Sequence, residues 1–378
     1  MTVDTSNLAS VTAPGSPVGP TVGMVGAGQL ARMTHQAAIS LGLSLRVLAE
    51  SAGDGGALVT PLVEIGAPDD AEAVERFAKG CDVVTFDHEH VPQPIILGLE
   101  RSGIAVRPGA AALHFAQDKR AMRLRLGELG LPVPAWSDDP SALPRPYVAK
   151  AVTGGYDGRG VWFVDSGDEL PDIDLIVEER VSIVHELAIQ VARTPSGKTR
   201  TWPVVETVQR DGICVQVVAP APRLSPSLAN QAEQLAITIA TELDVVGVLT
   251  VELFEAPTGL VINELAMRPH NSGHWSIEGS ATSQFEQHLR AVLDWGLGDT
   301  RPRAPVSVMV NLLGGDATDL ATSLPAALAA VPEASVHLYG KQARPGRKLG
   351  HVTVLGDDVA GVRDRAQHAV DILRGDPS

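Results

Sequence analysis

Residues 21–90 alternate between two hydrophobic periods, and that alternation limits the fold more than any other feature of the chain. Thr21–Val25 is a short apolar run that breaks at a glycine turn. Gln29–Leu41 carries apolar residues at helical spacing, and residues 43–49 return to strand texture. Val83–Phe86 repeats the strand pattern and ends in a polar cluster at 87–90. Strands linked through helices make a parallel sheet with helices on its faces. Ligands bind such sheets at the carboxyl ends of the strands, where the 26–29 turn and the 87–90 cluster both fall.

From Lys119 the texture changes to α+β. A basic helix over 119–130 leads through Pro132 and Pro134 to the strand Tyr147–Ala151. A glycine-rich loop at 154–160 joins it to Val161–Val164, and the loop is too long for a tight hairpin turn. Strands are expected at Leu175–Glu179, 186–192 and 201–205, a helix at 226–243, and paired strands at 247–254 and 259–264. A helix begins near Ser283, a proline-containing linker covers 296–305, and the last helix lies near 361–373. The expected division is a disordered tail at 1–20, an α/β domain at 21–118, a second domain at 119–295 and a small mixed domain at 296–378.

The formal net charge of -15 argues against a general nucleic-acid or membrane-surface binder. Cys81 and Cys214 are the only cysteines. They make no disulfide framework and lack metal-ligand spacing, so they read as buried reduced thiols. Asp4 stands where a secretory signal would be basic, and no apolar run is long enough to span a bilayer. The expected location is the cytoplasm.

Five clusters carry chemistry. In Gly26-Ala27-Gly28-Gln29, backbone amides at a helix N-terminus can hold a phosphate, and Glu50 ends the next strand where a dinucleotide site keeps its ribose acid. In Gly154-Gly155-Tyr156-Asp157-Gly158-Arg159-Gly160, four glycines let the backbone close over an anion. Arg159 and the nearby Lys150 supply positive charge there. Glu252 and Glu264 fall on neighbouring strands and offer hard oxygens to Mg²⁺; Asn263 adds a neutral oxygen, although alternation points it to the other face. The run from Asn263 to Trp275 holds Arg268, His270, Asn271 and His274, better suited to anionic substrate oxygens than to zinc. Finally, Lys341, Arg344, Arg347, Lys348 and His351 crowd a Pro/Gly loop and suggest a phosphate-monoester site.

These residues resemble the 5-(carboxyamino)imidazole ribonucleotide synthetases, a family of ATP-grasp ligases, from Val22 to about Val354. The most specific pieces are Gly-Gly-Tyr-Asp-Gly-Arg-Gly at 154–160, Arg-Pro-His-Asn-Ser-Gly-His-Trp at 268–275, Thr-Ser-Gln-Phe-Glu-Gln-His at 282–288 and Gly-Arg-Lys-Leu-Gly-His at 346–351. The resemblance implies ATP-dependent carboxylation of aminoimidazole ribonucleotide with bicarbonate, in purine biosynthesis, by a homodimer using ATP and two Mg²⁺ ions.

The resemblance also implies roles. Lys119 and Lys150 would contact phosphates under a lid that includes Gly155, Gly158 and Gly160. Glu178, Glu179 and Val181 would hold adenine, Glu186 the ribose, and Glu252 and Glu264 the metal, beside Asn263. The ribonucleotide would meet Gln29, Tyr156 and the 268–274 run, with its phosphate at Lys341, Arg347 or Lys348. His270, His274 and Asp157 remain open as general base. Gln209 stands where the family often has histidine. The rival readings are a formate- or glycinamide-using sibling ligase, a biotin carboxylase, a nicotinamide-dependent dehydrogenase and a non-catalytic nucleotide-binding protein.

Overall fold

The computed structural model describes residues 19–155, 158–315 and 318–375. The expected tail therefore lies almost wholly outside the described residues, as do Tyr156 and Asp157.

The first unit contains β1 (Thr21–Val25), α1 (Gln29–Leu41), β2 (Ser44–Ala49), β3 (Leu62–Ile65), α2 (Ala71–Ala78), β4 (Val83–Phe86), α3 (Gln93–Arg101) and α4 (Ala110–Gln117). Its four strands pair in parallel in the order β3-β2-β1-β4. β1 and β4 are nearly all buried, which is why they read as unbroken apolar runs rather than alternating ones. Gly42, at φ 67, ends α1 in the left-handed conformation that glycine adopts without strain.

The second unit contains α5 (Lys119–Glu128), β5 (Trp136–Ser137), β6 (Tyr147–Ala151), β7 (Val161–Val164) and β8 (Leu175–Glu179). It continues with β9 (His185–Arg193), β10 (Thr199–Thr201), β11 (Val205–Arg210), β12 (Ile213–Ala219), α6 (Pro226–Glu242), β13 (Gly247–Ala256) and β14 (Gly259–Ala266). α7 (Ser276–Gly279) and α8 (Gln284–Val292) follow. A small antiparallel sheet, β5-β8-β6-β7, faces a larger one. Asp118 caps α5 by accepting the Ala121 amide at 2.8 Å, and Ser283 caps α8 through the Glu286 amide at 3.2 Å.

The last strands are β15 (Val306–Leu313), β16 (Ser335–Leu338) and β17 (Lys348–Gly356), backed by α9 (Leu320–Ala330) and α10 (Val359–Arg374). They extend the larger sheet, whose order is β14-β13-β9-β11-β12-β15-β17-β16, with β10 added beside β9. β12 and β15 pair directly, Val217 opposite Met309. Val362, Ala366, Val370 and Leu373 bury the inner face of α10 against this end of the sheet.

The expected strand at 201–205 is instead two strands. Pro203 has no amide to donate, so the chain leaves the ladder after Thr201 and rejoins it at Val205. Trp202 turns into the core between them and donates its Nε1–H to the Thr282 carbonyl at 3.1 Å. Cys214 is buried as expected, but Cys81 is only half-buried. No helix among the described residues is long and apolar enough to cross a membrane.

Candidate active site

Residues that follow strands of the first sheet, together with residues of the other two sheets, line a cavity of about 1200 Å³. Its floor is a buried ion cluster. Lys150, on β6, places Nζ 2.8 Å from the Glu178 carboxylate of β8 and 2.9 Å from Asn263 Oδ1 of β14. Arg123, on α5 and fully buried, donates to the same carboxylate at 2.7 Å and to the Asn263 carbonyl at 2.7 Å. Burial alone would raise the Glu178 carboxyl, but Lys150 and Arg123 outweigh it and hold the group below the usual range. Glu178 thus turns its carboxylate to these two cations and lines the cavity together with Glu179 and Val181. Glu179 also accepts the Ala135 amide at 3.0 Å. Lys119 joins the cluster from its other side, 3.1 Å from Glu264 and 3.3 Å from the Gly154 carbonyl.

Glu252 and Glu264 stand directly opposite each other on β13 and β14. The register then slips, so that Leu253 faces Ile262 and Asn263 is the extra residue of a bulge. A bulge re-aims the side chain that strict alternation would send to the far face. Asn263 therefore reaches into the cavity, with Nδ2 3.3 Å from Glu252. Burial, then the Glu264 and Glu186 charges, push the Glu252 carboxyl up to about 7. Such an excess of hard, anionic oxygens suits Mg²⁺. Glu186 is raised too, by burial, with the Gln209 side chain partly offsetting the effect through a hydrogen bond. Gln209 thus lines the cavity wall, at the position where the resembled family often has histidine.

The turn before α1 serves a different purpose from the one its glycines suggest. The Gly28 amide donates to the Asp87 carboxylate at 2.6 Å, so an internal anion fills the expected phosphate cradle. A Cβ on Gly26 would lie 1.7 Å from that same carboxylate, and the Gly26 φ of 99 is in the left-handed region that favours glycine. This arrangement removes the main support for a nicotinamide site, although Glu50 does line the cavity. Gln29 faces the C-terminal strands and accepts from Lys341 Nζ at 2.6 Å. Arg268 pairs with Glu89 at 2.8 Å, joining β14 to the 87–90 cluster.

His270, Asn271 and His274 all line the cavity, and so does Lys348 at the start of β17. The Ser272 amide donates to His270 Nδ1 at 3.3 Å, which leaves the ring proton on Nε2, 3.5 Å from Glu252. Burial, then Arg268 and Lys348, hold His270 down at about 3. Among the described residues no cluster suits a metal bound by three His, Cys, Asp or Glu side chains, so zinc at the histidines gains no support.

Arg344 and Arg347 are exposed and do not line the cavity, nor do Arg159 and Gly160. Gly155 and Gly158 do. Gly158, at φ 77, comes within 3.0 Å of Gly212 when a Cβ is placed on it, so the loop passes close over the β11–β12 turn. Three residues central to this site were missed from sequence: Arg123, Gln190 and Gln284. Arg123 offered a signal, since it falls beside Met122 and three residues before Leu126 on the buried stripe of α5.

Two antiparallel sheets closing on a charged cleft define the ATP-grasp ligases, and residues 134–285 match the family described as ATP-grasp domain. Residues 20–117 match the ribonucleotide synthetase preATP-grasp domain, and residues 307–365 the phosphoribosylaminoimidazole carboxylase C-terminal domain. The chain belongs to the N5-carboxyaminoimidazole ribonucleotide synthase family. The enzyme of that name from Mycobacterium tuberculosis is 51% identical over 391 aligned positions, covering 98% of this chain and 90% of its own. The one from Corynebacterium ammoniagenes is 47% identical over 385 positions, covering 95% and 92%. The Aspergillus clavatus N5-carboxyaminoimidazole synthase, solved with ADP and 5-aminoimidazole ribonucleotide, superposes with a TM-score of 0.85 at 33% identity, covering 94% of this chain and 98% of the other.

Proposed function

We propose that this enzyme uses ATP and bicarbonate to carboxylate the exocyclic amine of 5-aminoimidazole ribonucleotide, a step of purine biosynthesis. The observation that carries the reading is one continuous cavity. It joins the Lys150 cluster and the paired glutamates to the His270, His274 and Lys348 end.

Bicarbonate is a poor electrophile, and phosphorylation by ATP gives carboxyphosphate, which has a good leaving group. Lys150 and Lys119 supply positive charge where negative charge spreads over the transferring phosphoryl oxygens. Glu179, Val181 and Glu186 fit the adenosine end of ATP. Glu252, Asn263 and Glu264 would hold magnesium, which when bound neutralises charge between phosphate oxygens. Arg268, His270, Asn271 and His274 offer donors to the acceptor end, with Gln29, Lys341 and Lys348 toward the ribonucleotide phosphate. Arg344 and Arg347 could reach it only by moving inward. Tyr156, Asp157 and Arg159 belong to the loop that would cover the triphosphate and exclude water from a hydrolysable intermediate. This family's chemistry needs no protein nucleophile.

Phosphate release from ATP, with the ribonucleotide and bicarbonate omitted in turn, tests the proposal. Release that requires the ribonucleotide and consumes its free amine is the expected result. Release that instead requires glycinamide ribonucleotide and formate would move the chemistry to the sibling ligase.

We further propose a homodimer built on the first domain. β3 is an edge strand with Leu62, Val63 and Ile65 exposed, and Leu58 is exposed just before it. An uncovered apolar edge is a liability that a second copy would remove. Wild-type protein should sediment at twice the chain mass, and Ile65→Lys at once. A monomeric wild type at micromolar concentration would refute the interface.

A further inference from the structure

Gln284, at the start of α8, is fully buried and bonds with every polar atom of its side chain. Its Oε1 accepts the His270 backbone amide at 2.8 Å, and its Nε2 donates to the His270 carbonyl at 2.8 Å. A backbone amide can only donate and a carbonyl can only accept, so these two bonds fix which end of the side-chain amide is oxygen. Gln190 Nε2 donates to the same Oε1 at 2.7 Å and to Thr250 at 3.0 Å, in agreement with that orientation.

The second hydrogen of Gln284 Nε2 then has one destination, His274 Nδ1 at 2.9 Å. A ring nitrogen that accepts carries no proton, so the proton of neutral His274 is on Nε2. That ring lines the cavity, and its Nε2 has no hydrogen-bond partner among the described residues. The site has no space for a looser arrangement. A Cβ on Gly273 would lie 2.0 Å from Gln190 Oε1 and 2.5 Å from Gln284 Oε1.

We infer that Gln284 is a positioning residue that locks His274 as a neutral Nε2–H donor, aimed at an anionic oxygen of the bound reactants. His274 then serves as an electrostatic contact, and the general base lies elsewhere. Burial, together with His270, Lys348, His337 and Arg268, favours the uncharged ring. Tyr339 and His351 pack against the other sides of His274, and the bond between Tyr339 Oη and His351 Nδ1, at 2.7 Å, leaves neither of those atoms to compete for it. The inference rests on the carboxylation reading only in supplying reactant oxygens to the cavity.

The test is nitrogen NMR of the ligand-free enzyme labelled at histidine, with His274 assigned by its loss in His274→Asn. Wild type should show the neutral Nε2–H tautomer at pH 7.5. Gln284→Glu keeps the shape and the Oε1 acceptor but removes the Nε2 donor, so Nδ1 of His274 should become protonated. The same variant should lose about a hundredfold in kcat, as expected for a missing oxyanion donor, while the KM for ATP changes little. An Nδ1–H tautomer in the wild type would overturn the inference, as would a Gln284→Glu enzyme with wild-type kcat. Because the spectrum involves no ligand, it fails independently of the acceptor-omission assay.

Discussion

Lys150→Met should reduce kcat about a thousandfold and also destabilise the fold by about 3 kcal/mol. Both effects come from one atom. Lys150 Nζ is the cavity-facing cation of the floor cluster and one of two cations that neutralise Glu178. Methionine fills the same volume but leaves the buried carboxylate with Arg123 alone. Thermal melting and steady-state rates on one preparation separate the two losses, with Arg123→Met as the control. Arg123 does not line the cavity, so its loss should act mainly on stability. Turnover by Lys150→Met within about threefold of wild type would remove Lys150 from the phosphoryl site.

Glu252→Gln should pull activity and stability in opposite directions. In the folded chain the Glu252 carboxyl is pushed up to about 7, chiefly by burial and then by its acidic neighbours, against an unperturbed value of 4.5. A raised carboxyl contributes most to stability below its unfolded value. That contribution is lost as pH rises toward 7, so the ionised group costs about 3 kcal/mol above that pH. Glutamine keeps the shape and removes the charge. Without divalent cations at pH 8 the variant should melt above wild type, and the gain should shrink toward pH 5. Turnover with Mg²⁺ and ATP should fall at least about a hundredfold. A variant that melts lower at pH 8, or that keeps its activity, would contradict the assignment of Glu252 to a metal-binding pair.

In the first unit β1, α1, β2 and β4 were legible because their signals are local, whereas β3 and α2 to α4 were not read. The core strands are unbroken apolar runs, and the glycines fall where the chain turns. The paired glutamates and the Lys150 loop were equally visible, since function placed charge on strands that otherwise bury. What escaped depended on partners far along the chain. The β11–β12 hairpin is an exception, since its two-residue turn Asp211-Gly212, at φ 53 and 74, is a local signal of such hairpins. The bulge at Asn263 could not be read, because register depends on the opposite strand. Gln190 is an ordinary residue in sequence, and Gln284, although it falls within the 282–288 motif, gains a role only where β9 and α8 bring the two together. Arg344 and Arg347 lie exposed outside the cavity; charge in a turn reveals composition but not direction.

The larger sheet also acts as a ruler. From β13, with Glu252, to β17, with Lys348, there are five strand-to-strand steps, β13-β9-β11-β12-β15-β17. At about 4.8 Å per step a flat sheet would hold those residues roughly 24 Å apart. They border one cavity, and the sheet carries irregularities of register at Val208/Gln209, Glu252/Leu253 and Leu312/Leu313. Bulges bend strands. The span between the site of phosphoryl transfer and the site of the acceptor is therefore set by backbone curvature across the whole sheet, and a deletion at any of the three bulges would change which acceptors fit without touching a catalytic side chain.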